Sequence, residues 1–202
     1  MQETIKDEQK IIKSYHGAVT FLDVLGWKGI WRQDKLAIGK LEALISAINK
    51  QADDIKPKYI KQMKNDIMLN KSSKNRGKMK DADLEKIIDV KIEVLSISDT
   101  IVLLSPGEAK FTLAMHAELV SWILKNALEV ELPLRGAISY GDYSFSNNIM
   151  LGYAVDEAAS WHESTDWIGV ILTPSAQIAK KDIDIANIIS YKNIPFKKPI
   201  KT

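Results

Sequence analysis

Two apolar runs separated only by Ser98-Asp99 constrain the fold of this chain more than any other feature. The segment VKIEVLSISDTIVLLSP (90–106) predicts a β-hairpin, because Pro106-Gly107 ends its second run. Apolar residues at helical spacing flank the hairpin, over about 30–51 and about 109–129. Two outer apolar segments, HGAVTFLDVLGW (16–27) and LPLRGAISYGDYSF (132–145), predict further strands.

The rest of the chain continues this alternation. Residues 152–163 predict another helix, WIGVILTPSA (167–176) predicts a strand, and a short helix begins within its PSA. The resulting order β-α-(loop)-β-β-α-β-α-β indicates an α+β fold, with a central, mostly antiparallel sheet and helices on one face. We expect residues 1–202 to form a single domain.

Composition excludes several classes of protein. The 202 residues are 46% hydrophobic, which is enough for one domain with a substantial core. Cysteine is absent, so disulfides, thiolate nucleophiles and zinc–thiolate sites are excluded. The first ten residues lack the apolar stretch of a signal peptide, and no apolar run approaches a membrane span. We therefore expect a cytoplasmic protein without a membrane partner.

A basic segment covers residues 56–80, where nine lysines and arginines accompany one acid, Asp66. Its low apolar content predicts an exposed, flexible loop at about 65–80. The alternative is a nucleic-acid contact through phosphates. Tyr59 is the only aromatic residue in the segment, so the solvated loop is favoured and a nucleic-acid partner is not expected.

Two aspartates lie beside apolar strands. Asp23 is inside the first predicted strand and Asp99 is at the hairpin turn. An acid in such a setting is costly unless it is paired, and two converging carboxylates can bind two Mg²⁺ or Mn²⁺ ions beside a triphosphate. The alternative for either residue alone is a helix cap or a turn. The turn 25–29 leads towards a predicted helix, whose N-terminal amides would suit phosphate.

Four segments together resemble class III nucleotidyl cyclases. They are FLDVLGW (21–27), SISDTIVLL (96–104), LRGAISYG (134–141) and LGYAVDEAA (151–159), in the order of that family. The resemblance implies a ferredoxin-like βαββαβ core in which Asp23 and Asp99 are the catalytic metal ligands. It also places Val24 at the metal site. The implied nucleotide contacts are Val24, Leu25, Gly26, Trp27, Arg135 and a C-terminal lysine, Lys197 or Lys198. The alternatives are a solvated C-terminus for the lysine and, for Arg135, pairing with a surface acid.

Four positions depart from the family pattern. Leu95 and Ile149 stand where the family has the lysine and aspartate that recognise a purine. Neither side chain can form a hydrogen bond with a base. Asp156 and Ser160 stand at the family's transition-state asparagine and arginine, and loss of the arginine removes a cation that would stabilise phosphate charge.

The pyrimidine cyclases of bacterial Pycsar anti-phage systems are similar in the same four motifs. This resemblance implies UTP or CTP as substrate, cUMP or cCMP as product, and a separate effector that senses the cyclic nucleotide. It also implies a homodimer with active sites at the interface. Two alternatives stay open: a purine cyclase that uses ATP or GTP, and a degenerate domain that binds nucleotide or only dimerises.

Overall fold

The computed structural model describes residues 13–71, 90–147, 149–191, 193–195 and 197. Six strands form one sheet, and their bounds are β1 Ser14–Val24, β2 Glu93–Ile97, β3 Thr100–Pro106, β4 Leu134–Ser146, β5 Ile149–Leu151 and β6 Gly169–Leu172. Their order is β2-β3-β1-β4-β5, and β6 lies parallel to the first half of β4. All other pairs are antiparallel, so the predictions of an α+β fold and a mostly antiparallel sheet are confirmed.

Four α-helices accompany the sheet in the described ranges: α1 Ala37–Lys71, α2 Ala109–Glu129, α3 Tyr153–Trp161 and α4 Pro174–Lys180. The hairpin β2–β3 turns at Ser98-Asp99, and α2 covers the predicted range. The short strand β5 was not predicted, because three residues are too few to show an alternating pattern. No helix in the described part of the chain is long and apolar enough to cross a membrane.

The prediction that all helices lie on one face of the sheet is wrong. Successive residues of a strand point to opposite faces, and Leu22 belongs to the cluster packed by α1, α2 and α4. Its neighbour Phe21 belongs to a second cluster with Val155 and Ala158 of α3. Helix α3 therefore covers the opposite face. Apolar periodicity identifies the buried side of a helix but not the sheet face that it meets.

Helix α1 also corrects the predicted loop at about 65–80, because it continues to Lys71. Its buried residues recur every three or four positions from Ala37 to Tyr59, so the apolar stripe extends into the basic segment while the lysines lie on the other sides. Residues 72–80 of the predicted loop lie outside the described residues.

The helix expected at about 30–51 begins later than predicted. A 3₁₀ turn covers Ile30–Arg32, and α1 starts at Ala37. Gly26 and Gly29 have φ values of 77° and 82°, a left-handed conformation that bends the chain between β1 and this turn. The turn 25–29 therefore leads into a single 3₁₀ turn and not directly into an α-helix, as the sequence had predicted.

Strand β1 lies in the middle of the sheet and approaches both neighbours closely. A Cβ atom built on Gly136 of β4 would lie 2.2 Å from the carbonyl oxygen of Phe21.

A buried histidine connects α2 to the sheet. His116 of α2 is fully buried, and its Nδ1 is hydrogen-bonded to Thr20 Oγ1 at 2.7 Å and its Nε2 to Ser105 Oγ at 2.9 Å. Burial lowers the pKa of His116 to about 3. This neutral network joins α2 to β1 and β3.

Candidate metal centre

A buried ion pair lies at the end of β1. Asp23 and Arg135 face each other in the register of β1 and β4, and each is only 8% exposed. Arg135 donates from Nε at 3.0 Å and from Nη2 at 2.8 Å, and both bonds go to Asp23 Oδ2. Opposite charges on directly facing residues stabilise the strand pair, and the bonds offset part of the cost of burying the charges.

Asp99 is brought to the same end of the sheet. Asp23 pairs in register with Thr100, so Asp99 is adjacent in sequence to the residue that faces Asp23. The amide of Val24 donates to the backbone carbonyl of Asp99 at 3.3 Å. Asp99 is half-buried in the hairpin turn. The backbone thus places the two predicted metal ligands at neighbouring strand ends.

Two further potential ligands lie beside Asp23. His162 and Glu163 follow α3, and one ligand atom of each lies within 4.8 Å of the other and of a carboxylate oxygen of Asp23. Glu163 Oε1 lies 3.8 Å from Arg135 Nη2 and 3.9 Å from His162 Nε2. Arg135 is therefore in contact with two acids.

His162 and Glu163 were not among the site residues predicted from the sequence. His162 does bond a carbonyl of its own helix, but its ring also packs against Phe21, with ring centroids 5.8 Å apart. The helical spacing of the sequence gives one indication that His162 faces the sheet. Ala154, Val155 and Ala158 form the buried side of α3, and position 162 lies on that same side one turn later.

The loop after Glu163 contacts the C-terminal segment. Thr165 is fully buried, and its carbonyl accepts a bond from Arg135 Nη1 at 3.5 Å. The amide of Lys197 donates to the carbonyl of Ser164 at 2.9 Å, so the predicted phosphate lysine has its backbone beside this loop. The alternative residue, Lys198, lies outside the described residues.

The other predicted nucleotide contacts lie at the last residue of β1 and in the turn after it. The side chain of Val24 is buried, and Trp27 packs partly against the α1–α2 side of the core. The amide of Leu25 donates to the carbonyl of Pro133 at 2.8 Å, and the amide of Val24 is engaged with Asp99. The backbone amides of Val24 and Leu25 therefore already have partners within the protein.

The four departures from the cyclase pattern occupy different surroundings. Leu95 is half-buried on β2, while Ile149 on β5 is 69% exposed. Asp156 is exposed in the first turn of α3. Ser160 Oγ donates a hydrogen bond to the carbonyl of Asp156 at 2.7 Å, so this hydroxyl is bonded within its own helix.

A groove lies away from these residues. It has a volume of about 500 Å³ and lies between α1, α2 and residues 183–187, on the sheet face opposite α3. Two of its lysines are paired, Lys58 with Glu118 at 2.6 Å and Lys110 with Asp66 at 2.5 Å. The charges of these lysines are thus already paired, whereas the cluster of Asp23, His162 and Glu163 could hold a metal ion.

Comparison of the sequence with protein-family models gives no match, and comparison with curated proteins gives none either. Any statement about activity therefore depends on the residues of this chain.

Proposed function

We propose that this protein is a nucleotide cyclase of the class III type, in which Asp23 and Asp99 hold two divalent cations. The observation that carries the proposal is the placement of these aspartates at the same end of adjacent strands, through the Asp23–Thr100 register and the Val24–Asp99 backbone bond. The core elements follow the chain order β1-α1-β2-β3-α2-β4, and their strands lie in the order β4-β1-β3-β2 across the sheet. This arrangement supports the proposal, because the resemblance implies a ferredoxin-like βαββαβ core.

The residues at the strand ends suit divalent cations. Carboxylate oxygens are the ligands that Mg²⁺ and Mn²⁺ prefer, and Asp23 and Asp99 supply four. The bonds from Arg135 reach only Oδ2 of Asp23, so Oδ1 receives none from this arginine. Asp99 is half-buried and therefore accessible to an ion and a substrate.

In the proposed reaction, the ribose 3′ oxygen forms a bond to the α-phosphorus while the bond from that phosphorus to pyrophosphate breaks. The 3′ proton leaves to solvent. The metal ions, when bound, lower the pKa of the 3′ hydroxyl and neutralise charge on the phosphates. Arg135 orients Asp23 through two bonds to one oxygen, and Lys197 would supply positive charge for the triphosphate.

We propose a pyrimidine nucleoside triphosphate, UTP or CTP, as the substrate. Leu95 and Ile149 cannot form the hydrogen bonds that select a purine, which supports this choice. The product would be cUMP or cCMP, acting in the cytoplasm as a second messenger in anti-phage defence and sensed by a separate effector. We also propose a homodimer with active sites at the interface.

A degenerate domain that binds nucleotide without turnover is the second candidate. Its support is specific: Ser160 replaces a catalytic arginine and is bonded to its own helix, and Arg135 is paired with Asp23. In that case the protein would bind a triphosphate but release no cyclic product. A purine cyclase is distinguished from both candidates by the identity of the product.

Incubation of the purified chain with each of the four ribonucleoside triphosphates and Mn²⁺, followed by chromatography and mass spectrometry, tests the proposal. We expect one cyclic pyrimidine nucleotide and pyrophosphate in equal amounts. Asp99→Ala should abolish product, whereas Asp182→Ala, in an exposed turn, should not change the rate. Equal rates for Asp99→Ala and the unmodified protein would refute the proposal, and binding without product would favour the degenerate domain.

A further inference from the structure

We propose that Asp23, His162 and Glu163 form a binding site for a transition-metal dication, with Mn²⁺ preferred to Mg²⁺, and that Arg135 competes with the ion for this site. This inference goes beyond the proposed function, because it assigns two ligands that the cyclase proposal does not use and requires no turnover.

The spacing of the three groups suits one ion. Their ligand atoms all lie within 4.8 Å of one another. Ligands at about 2.0–2.2 Å from a metal lie no more than roughly 4.4 Å apart, so small side-chain rotations would complete the coordination. Asp23 is buried, His162 is half-buried and Glu163 is exposed, so the site opens to solvent on the Glu163 side.

The orientation of His162 is a second, independent observation. Its Nδ1 lies 2.6 Å from the carbonyl oxygen of Ala159, which can only accept, so Nδ1 carries the proton. In the neutral ring with this tautomer, Nε2 has the lone pair that a metal needs, and it lies 3.9 Å from Glu163 Oε1. Metal-binding histidines are commonly oriented in this way, with one ring nitrogen bonded to a backbone carbonyl and the other facing the ion.

The ligand set selects the kind of metal. Mg²⁺ is bound almost entirely by oxygen, whereas imidazole nitrogen suits first-row transition metals. A site with one imidazole and two carboxylates therefore favours Mn²⁺ over Mg²⁺. Asp23 is shared with the proposed cyclase centre, so occupation of this site would also fix the position of a catalytic carboxylate.

Arg135 competes with a metal ion for two of these ligands. Its Nη2 atom lies 2.8 Å from Asp23 Oδ2 and 3.8 Å from Glu163 Oε1, so the guanidinium contacts two of the three ligands. A dication and this guanidinium repel each other at such distances. Metal binding must therefore weaken the contacts of Arg135, and removal of the guanidinium should increase metal affinity.

The test is a Mn²⁺ titration of the full chain without nucleotide, in which the electron paramagnetic resonance signal of free Mn²⁺ is measured. Without the triphosphate that would help to bind the two catalytic ions, we expect one Mn²⁺ per chain, displaced only by a large excess of Mg²⁺. His162→Gln and Glu163→Gln should each weaken binding by about tenfold or more, and Arg135→Met should strengthen it. His16→Ala, about 23 Å away at the other end of β1, is the matched control.

Asp99→Ala separates this inference from the proposed function, because it should abolish cyclisation while retaining Mn²⁺ binding. Unchanged Mn²⁺ affinity in His162→Gln would overturn the inference, as would the absence of binding at about 1 mM Mn²⁺. Loss of binding in Asp99→Ala but not in His162→Gln would also overturn it, since the ion would then belong to the two aspartates alone. Circular dichroism of each variant confirms that it is folded.

Discussion

Replacement of Arg135 by methionine is the most informative single perturbation of this structure. Methionine keeps much of the apolar stem but removes two charged hydrogen bonds to Asp23 Oδ2, at 3.0 and 2.8 Å. Asp23 is only 8% exposed, so its carboxylate would remain buried without its partner. Breaking a buried ion pair in this way costs about 3–5 kcal/mol of unfolding free energy.

The assay is thermal and urea unfolding in the presence of a chelator. For a domain of this size the expected loss corresponds to a fall in Tm of about 6–20 °C. Lys125→Met, on the exposed side of α2, is the matched control and should change stability by less than about 0.5 kcal/mol. Asp23→Asn combined with Arg135→Met should be more stable than Arg135→Met alone, because no unpaired charge is then buried.

Addition of Mn²⁺ extends the same experiment. An ion that binds only the folded chain should restore part of the lost stability of Arg135→Met, by RT ln(1 + [Mn²⁺]/Kd). A loss of less than about 1 kcal/mol on removal of the guanidinium would refute the reasoning, since the Asp23 carboxylate would then not depend on its partner.

Three further predictions concern the stability of the fold. Burial lowers the pKa of His116 to about 3, so below pH 6.5 the unfolded chain binds a proton that the folded chain does not. The free energy of unfolding, measured with urea, should therefore fall by about 1 kcal/mol per pH unit from pH 6.5 towards pH 3. The fall should be less steep in His116→Phe. Glu157 accepts bonds from the Ser175 amide and hydroxyl at the start of α4, so Glu157→Gln should lower stability in thermal unfolding by about 1 kcal/mol. Gly136→Ala should lower the free energy of unfolding in urea by more than about 3 kcal/mol, because the added Cβ would overlap the backbone of β1. Gly39→Ala is the control: its Cβ has open space, so the change should be neutral or stabilising.

The regular elements could be predicted because their apolar periods are local. Helix α2 and the hairpin around Ser98-Asp99 each show an uninterrupted pattern, and the structure has both where they were expected. Helix α1 was predicted too short, because the density of lysines beyond Lys56 was given more weight than the continuing apolar positions Ile55 and Tyr59. A charged surface and a helical stripe coexist on one helix.

The candidate site was predicted only in part, for a different reason. Asp23 and Asp99 stand out because each is an acid beside an apolar strand. The partners of Asp23 are Arg135, His162 and Glu163, which are more than 110 positions away in sequence. Their proximity depends on the register of β1 with β4 and on the packing of α3 against the sheet. Neither is determined by a local pattern.

The most direct test of the central claim is a crystal structure with Mn²⁺ and 3′-deoxy-UTP, which cannot cyclise, with Mn²⁺ located by anomalous scattering. The account predicts two Mn²⁺ peaks about 3.5–4 Å apart, with oxygen atoms of both Asp23 and Asp99 as ligands. A fully bound triphosphate with no Mn²⁺ contact to Asp99, or with its α-phosphate away from the ends of β1 and β3, would contradict it.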